Sequence, residues 1–177
     1  MIAGLTGQGG QVIAGWMSPS PRHVLFVCTG NTCRSPMAEG LFRAAAEAEG
    51  FSVSSAGVAA YGGESASTET LAILAARGID LDGFGSRMVD DGLVRQATHV
   101  FCMTCGHLDV LDGLYPEERD KFHLVCDFSE IEGEVGRDVP DPIGGGLQTY
   151  EKVATCLDQA IEGILGFLRG QQLQSEE

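Results

Sequence analysis

The sequence predicts an α/β domain: a parallel sheet with helices packed on both faces. Two observations predict it. Short apolar runs of strand length alternate along the chain with segments of helical period, and glycines or prolines stand where those helices should stop. Val24-Leu25-Phe26-Val27 is continuously apolar, as in a strand buried on both faces. The segment from Pro36 to Glu49 reads as a helix capped by Ser35, with Pro36 in its first turn and Gly50 as its stop. Phe51 to Ala56 alternates as a second strand. Thr68 to Arg77 is helical, with Leu71, Leu74 and Ala75 on the inner face and Gly78 as its stop. Thr98 to Met103 forms a third strand. A helix from Cys105 carries Leu108, Leu111 and Leu114 inward and ends before Pro116. Phe122 to Cys126 makes a fourth strand, and residues 127–148 form a long acidic loop rich in Gly and Pro. Thr149 to Arg169 closes the fold as a helix, with Val153, Leu157, Ile161, Ile164, Leu165 and Leu168 facing the core. Ligands of parallel sheets bind beyond the carboxyl ends of the strands, so the loops after Val27, Met103 and Cys126 are expected to meet at one site.

A length of 177 residues with 44% apolar content suits one domain, assigned here to residues 23–170, with a single core. Residues 1–22 show no periodicity and read as a flexible extension or a start-site artefact, although Trp16 and Met17 could dock on the domain; residues 171–177 read as a polar tail. The start lacks the charge and apolar stretch of a secretory signal, and no apolar run is long enough to span a membrane, so a cytoplasmic protein is expected. A formal charge of −14 argues against nucleic acid or an anionic membrane as partner, yet leaves room for a local anion hole. Six cysteines (Cys28, Cys33, Cys102, Cys105, Cys126 and Cys156) without an export signal suggest free thiols. The pairs Cys28/Cys33 and Cys102/Cys105 have spacings that invite a zinc reading. Cys28 ends an apolar run rather than lying in a turn, so no metal and no cofactor is expected.

The segment Cys28-Thr29-Gly30-Asn31-Thr32-Cys33-Arg34-Ser35 has the form C-x5-R-S between a strand and a helix. Five residues arching between those elements can turn successive backbone N–H groups inward as an anion nest, reinforced by the helix start and its dipole. Gly30 and Asn31 tolerate the left-handed backbone that an arch requires. Arg34 offers a planar, two-pronged donor for phosphoryl oxygens. The same positive surroundings favour a nucleophilic thiolate at Cys28. A thiolate poised beside an anion nest is suited to phosphoryl transfer.

Val27 to Glu39, together with Ser55-Ala56-Gly57, Ser86-Arg87 and Asp141-Pro142, resembles the low-molecular-weight protein tyrosine phosphatase family from about His23 to Arg169. The resemblance implies a three-layer α/β/α sandwich with a four-stranded parallel sheet, phosphotyrosine protein phosphatase I-like. It also implies a phosphocysteine intermediate without metal and phosphorylated proteins as substrates; a monomer is expected. Cys28 is then the nucleophile and Arg34 the phosphate clamp. Ser35 donates to the Cys28 sulfur, and Asn31 holds the loop with help from Ser55. One carboxylic acid must protonate the leaving group and later activate water. Composition offers Asp127, Glu130, Glu132, Glu134, Asp138 and Asp141. Asp141, stiffened by two flanking prolines and matching the family's Asp-Pro, is the preferred acid, with Asp138 in reserve.

In the tyrosine-specific members of that family the position of Thr32 is a bulky aliphatic, and aromatics follow the Asp-Pro pair to wall a slot for the phenyl ring. Here Thr32 is polar and Asp141-Pro142 is followed by Ile143-Gly144-Gly145-Gly146. With Met103-Thr104-x-x-His107, this looks like the protein-arginine phosphatase branch, making Thr32 and Ile143 the specificity positions. Thr32 could instead serve only the loop backbone. Two rivals remain. Thioredoxin-coupled arsenate reductases share the C-x5-R loop and relay oxidation through later cysteines, here Cys102 and Cys105. A phosphopeptide-binding module would need to have lost its nucleophile or acid, and Cys28, Arg34 and Asp141 are all present. Cys33 could capture an oxidised Cys28 as a disulfide, making the protein redox-sensitive, or could simply pack beneath the loop. His23, His99 and His123 read as structural, and His107 as a residue that could face the site.

Overall fold

Among residues 22–129 and 138–175, which the computed structural model describes, four strands pair into one parallel sheet of order β2-β1-β3-β4. The strands are β1 (His23–Cys28), β2 (Ser52–Gly57), β3 (His99–Cys102) and β4 (Phe122–Leu124). Each of the two central strands is buried along its whole length, because helices cover both faces of a parallel sheet. Side chains alternate between those faces. Val24, Phe26, Cys28 and Phe101 face α1 (Arg34–Ala45), α2 (Thr68–Ala76) and α5 (Leu147–Ser175). Leu25, Val27, Val100 and Cys102 face α3 (Asp91–Gln96) and α4 (Cys105–Leu114). The result is the three-layer α/β/α sandwich that the family resemblance implies.

Several local expectations give way to tertiary packing. The first helix begins at Arg34, two residues before Pro36, and Ser35 lies inside it; no side chain caps it. Helix α2 buries Thr70, Ile73 and Leu74 against α1 and α5, whereas Leu71 and Ala75 face away from both helices toward solvent. On α4, Leu111 is buried and Leu108 half-buried as expected, but Leu114 is exposed and His107 is buried. After Leu124 the chain turns into a 3-10 helix, Val125–Phe128, so Val125 and Cys126 are not strand residues. Helix α3, capped by Asp90, has no counterpart in the sequence reading, because six residues hold too little periodicity to detect. Helix α5 runs on past Arg169 to Ser175. Arg22 packs its guanidinium 4.1 Å from the Phe51 ring and donates to the Leu168 carbonyl. Residues 1–21, and with them Trp16 and Met17, lie outside the described residues. So do Glu130, Glu132 and Glu134.

Three histidines serve packing. His23 bonds Ser52 and Ser54, and His99 bonds Gln171 and stacks against Phe101. His123 packs among Phe101, Phe128 and Phe167.

Helix α5 presses on the Val125–Phe128 turn so closely that a Cβ at Gly163 would lie 1.8 Å from the Phe128 carbonyl oxygen, whereas one at Gly166 meets nothing within 4 Å. Gly163→Ala is therefore expected to lower the denaturation midpoint sharply. Gly166→Ala, on an open helix face, is expected to raise stability by about 1 kcal/mol through helix propensity. Urea unfolding of both variants checks the opposite signs.

Candidate active site

The C-x5-R-S segment runs from the last residue of β1 into the first turn of α1. Its shape follows from where its carbonyls go. The carbonyl of Cys28 accepts from Val58 N–H at 2.9 Å, that of Thr29 from Ala59 N–H at 2.9 Å, and that of Thr32 from Ser67 N–H at 2.8 Å. The Cys33 carbonyl takes Met37 N–H and the Thr70 hydroxyl. With those acceptors turned outward, the loop amides are free to point inward, and Asn31 N–H meets the Cys28 sulfur at 3.2 Å. Of the two loop residues that tolerate the left-handed region, Asn31 takes it, at φ 55°, and Gly30 does not. The backbone must also pass close to β2. A Cβ at Gly57 would lie 2.4 Å from the Thr29 carbonyl oxygen and 2.9 Å from Asn31 N, so this residue can only be glycine.

A chain of hydrogen bonds fixes the proton at Ser35. Glu39, buried on α1, pairs with Arg43 and accepts the Ser55 hydroxyl at 2.7 Å. An ionised carboxylate only accepts, so the Ser55 proton is committed to it. Ser55 must then accept from Asn31 Nδ2 at 2.9 Å, and the other Nδ2 proton goes to Ser35 Oγ at 2.9 Å. Asn31 Oδ1 accepts from Arg87 N–H, which excludes the flipped amide. Ser35 Oγ therefore keeps its own proton and lies 3.0 Å from Cys28 Sγ and 3.3 Å from the Ala56 carbonyl. Glu39 was visible in the sequence only as a helix residue. Its signal, a carboxylate four residues before an arginine on a helix, usually means a solvated face.

Arg34 is 5% exposed and spans the loop and the acidic segment beyond it. It donates Nη1 to the Val139 carbonyl at 3.3 Å and Nη2 to Asp141 Oδ2 at 3.0 Å. The acidic segment is pinned from behind, since Val139 N–H bonds the Met103 carbonyl at the end of β3. Asp138, the reserve acid, instead accepts from Cys105 N–H at 2.7 Å at the start of α4, which holds it away from Arg34's donors. Asp127 falls in the Val125–Phe128 turn.

The remaining candidates divide. Thr32 is half-buried; its hydroxyl lies 3.6 Å from Cys33 Sγ. Ile143 is 67% exposed. Cys33 is buried, with its sulfur 3.2 Å from the Tyr150 hydroxyl, a partner the sequence did not suggest. Burial and this contact push Tyr150 up to about 12. His107 enters the site more fully than expected, with Nε2 2.8 Å from Thr29 Oγ1 and Nδ1 2.9 Å from Thr104 Oγ1. Cys102 is fully buried on the opposite face of the sheet from Cys28, and burial drives its thiol far above the usual range, while Cys105 is exposed on α4. A thiol relay from Cys28 would have to cross the sheet. Among the described residues no group of three or more His, Cys, Asp or Glu is placed to hold a metal, and no helix is long and apolar enough to cross a membrane.

A family model for low molecular weight phosphotyrosine protein phosphatase matches residues 23–177. The chain belongs to that family. It is a phosphatase by descent, and its similar proteins include both substrate branches. It is 36% identical over 157 residues to a protein-arginine-phosphatase of Geobacillus stearothermophilus, covering 89% of this chain and 99% of that one. It is 37% identical over 155 residues to a low molecular weight protein-tyrosine-phosphatase of Streptomyces coelicolor, covering 84% and 94%. The solved arginine phosphatase YwlE from Geobacillus stearothermophilus superposes with a TM-score of 0.78 at 37% identity, covering 87% and 97%.

Burial holds all four of this phosphatase's histidines below their ordinary range, His107 to about 4 with Arg34 as a further cause. A histidine lowered on folding binds its proton more readily when unfolded, so stability is full above the unfolded value and drains away as pH falls through about 6.5 toward the folded value. Denaturation midpoints at pH 7.5 and pH 5 should differ, with the acid one lower, and His123→Phe should shrink the difference.

Proposed function

We propose that this protein is a cysteine-dependent protein phosphatase that removes phosphate from phosphoarginine on proteins through a phosphocysteine intermediate. The observation that carries the chemistry is the convergence on Cys28 Sγ of the Asn31 amide and the Ser35 hydroxyl, with Arg34 between the loop and Asp141. In this reading the phosphoryl oxygens lie in the nest of amides from Thr29 to Ser35 and on Arg34. The Cys28 thiolate attacks phosphorus, the P–N bond breaks, and the Asp141 carboxylic acid gives its proton to the departing guanidine nitrogen. Asp141, now a carboxylate, takes a proton from water as that water's oxygen attacks the phosphocysteine. Inorganic phosphate leaves, and Cys28 departs as a thiolate stabilised by the Ser35 hydroxyl. In this reading the work is done in a cytoplasmic, monomeric protein.

Substrate choice rests on the mouth of the site. Thr32 presents a hydroxyl and Ile143 an aliphatic side chain where aromatic walls would favour a phenyl ring. Tyr61, 79% exposed in the loop after β2, is an aromatic at the same sheet edge and the specific observation favouring phosphotyrosine; its face also suits a guanidinium. Matched phosphoarginine and phosphotyrosine peptides separate the two. Wild type is expected to prefer phosphoarginine, and Thr32→Ile to shift the kcat/KM ratio toward phosphotyrosine by about tenfold or more, the scale of losing a hydrogen bond to a charged group. Asp141→Asn is expected to reduce kcat by about 10²- to 10⁴-fold on both. A wild type that prefers phosphotyrosine overturns the substrate assignment and leaves the chemistry standing.

A redox role for Cys33 forms part of the proposal. Peroxide would convert the Cys28 thiolate to a sulfenic acid; the Cys33 sulfur would then leave Tyr150, displace water and close a disulfide that external thiol reopens. Cys33→Ser should turn reversible peroxide inactivation into irreversible loss. Equal recovery of both proteins with reductant removes the role.

A further inference from the structure

Thr29 and His107 sit at the rim of the phosphate loop, and the chemistry proposed above does not use their side chains. Thr29 follows Cys28 directly and is exposed, so its hydroxyl stands at the mouth of the loop. His107 lies beneath it, 6% exposed, clasped between Thr29 Oγ1 and Thr104 Oγ1. The imidazole is held neutral at ordinary pH by burial and by Arg34, with Asp138 and Asp141 pulling weakly the other way. It therefore carries one N–H and one bare nitrogen.

Thr104 faces the other ring nitrogen. Its oxygen caps α4 by accepting His107's backbone N–H at 3.2 Å, so its lone pairs point into the first helical turn, and ring Nδ1 lies in the same turn at 2.9 Å. Its second lone pair can accept from Nδ1–H, and in the tautomer so formed Nε2 is bare. A bare Nε2 at 2.8 Å takes the Thr29 hydroxyl proton, and the Thr29 oxygen then faces the mouth with lone pairs alone.

From this arrangement we infer that Thr29, set by His107, is a specificity-determining acceptor for the guanidinium of the substrate. The inference rests on the phosphoarginine reading and deepens it. A guanidinium is donor-only, with five N–H groups in a planar fork, and once phosphorylated it still needs acceptors for those the phosphoryl group does not engage. A phenyl ring offers Thr29 nothing to accept. A site that supplies a fixed acceptor gains on the first substrate and not on the second. His107 acts through Thr29 and is a positioning residue.

Thr29→Val and Thr29→Ser are compared with wild type on a phosphoarginine peptide and on an aryl phosphate. Thr29→Val should lose about tenfold more kcat/KM on phosphoarginine than on the aryl phosphate, chiefly in KM, and Thr29→Ser should restore the wild-type ratio. His107→Phe should move the ratio in the same direction. Imidazole 15N NMR of the wild type should show Nδ1 protonated and Nε2 bare. Equal losses on both substrates with Thr29→Val, or a protonated Nε2, overturn the inference while leaving the phosphoarginine reading intact. A wild type that does not cleave phosphoarginine removes the reading itself.

Discussion

Ser35 has one hydroxyl proton, placed between the Cys28 sulfur at 3.0 Å and the Ala56 carbonyl at 3.3 Å, and it stays available to them only if the Asn31 contact to that oxygen comes from a donor. Glu39 brings this about from three bonds away. Its buried carboxylate takes the Ser55 proton, which obliges Ser55 to accept from Asn31, which leaves the second Asn31 N–H for Ser35. A carboxylate in that position is costly to bury alone, and Arg43 and Ser55 offset the cost. The order of donors and acceptors is thus imposed from the buried end outward, and the sulfur is the last member of the chain.

Arg34 does the corresponding work for charge. The chain carries −14 overall, so nothing in its bulk electrostatics draws an anion. The buried guanidinium, the helix start and the inward amides make a local exception. Because the same guanidinium also holds Val139 and Asp141, the clamp and the proposed acid share one anchor. Placement of the acid relative to the loop therefore follows from packing at Val139, which is itself tied to the end of β3.

The fold and the loop were legible in the sequence because each has a local physical signature. A continuous apolar run beside helical segments leaves few alternatives to a covered parallel sheet, and C-x5-R-S concentrates its chemistry in eight consecutive residues. Asp141 could be preferred as the proposed acid for a similar reason, since its prolines are its neighbours. What escaped was whatever depends on a partner distant in sequence. The residues alone read Ser35 as a helix cap, and only the family resemblance pointed it at the Cys28 sulfur; that Asn31 and Ala56 surround it could not be read at all. Gly57 looks like the end of a strand until the Thr29 carbonyl is found against its Cα. Leu71 and Leu114 satisfy helical periodicity, yet no element among the described residues covers them. Tyr150 has no local mark, Glu39 with Arg43 four residues on reads as a solvated pair, and His107 reads only as a residue that could face the site.

By itself, then, the sequence determined the class of fold, the nest-forming loop with Cys28 and Arg34, and the polar character of its mouth, because these rest on residue type and spacing. Tertiary structure alone decided which face of each helix is buried. It separated Asp141 from Asp138 by assigning one to Arg34 and the other to Cys105 N–H. It also decided the direction of the hydrogen bonds that reach the C-x5-R-S loop. A donor or acceptor is chosen by the group opposite it, and for this loop those groups are Ser55, Glu39 and Arg87, each delivered by a separate part of the sandwich.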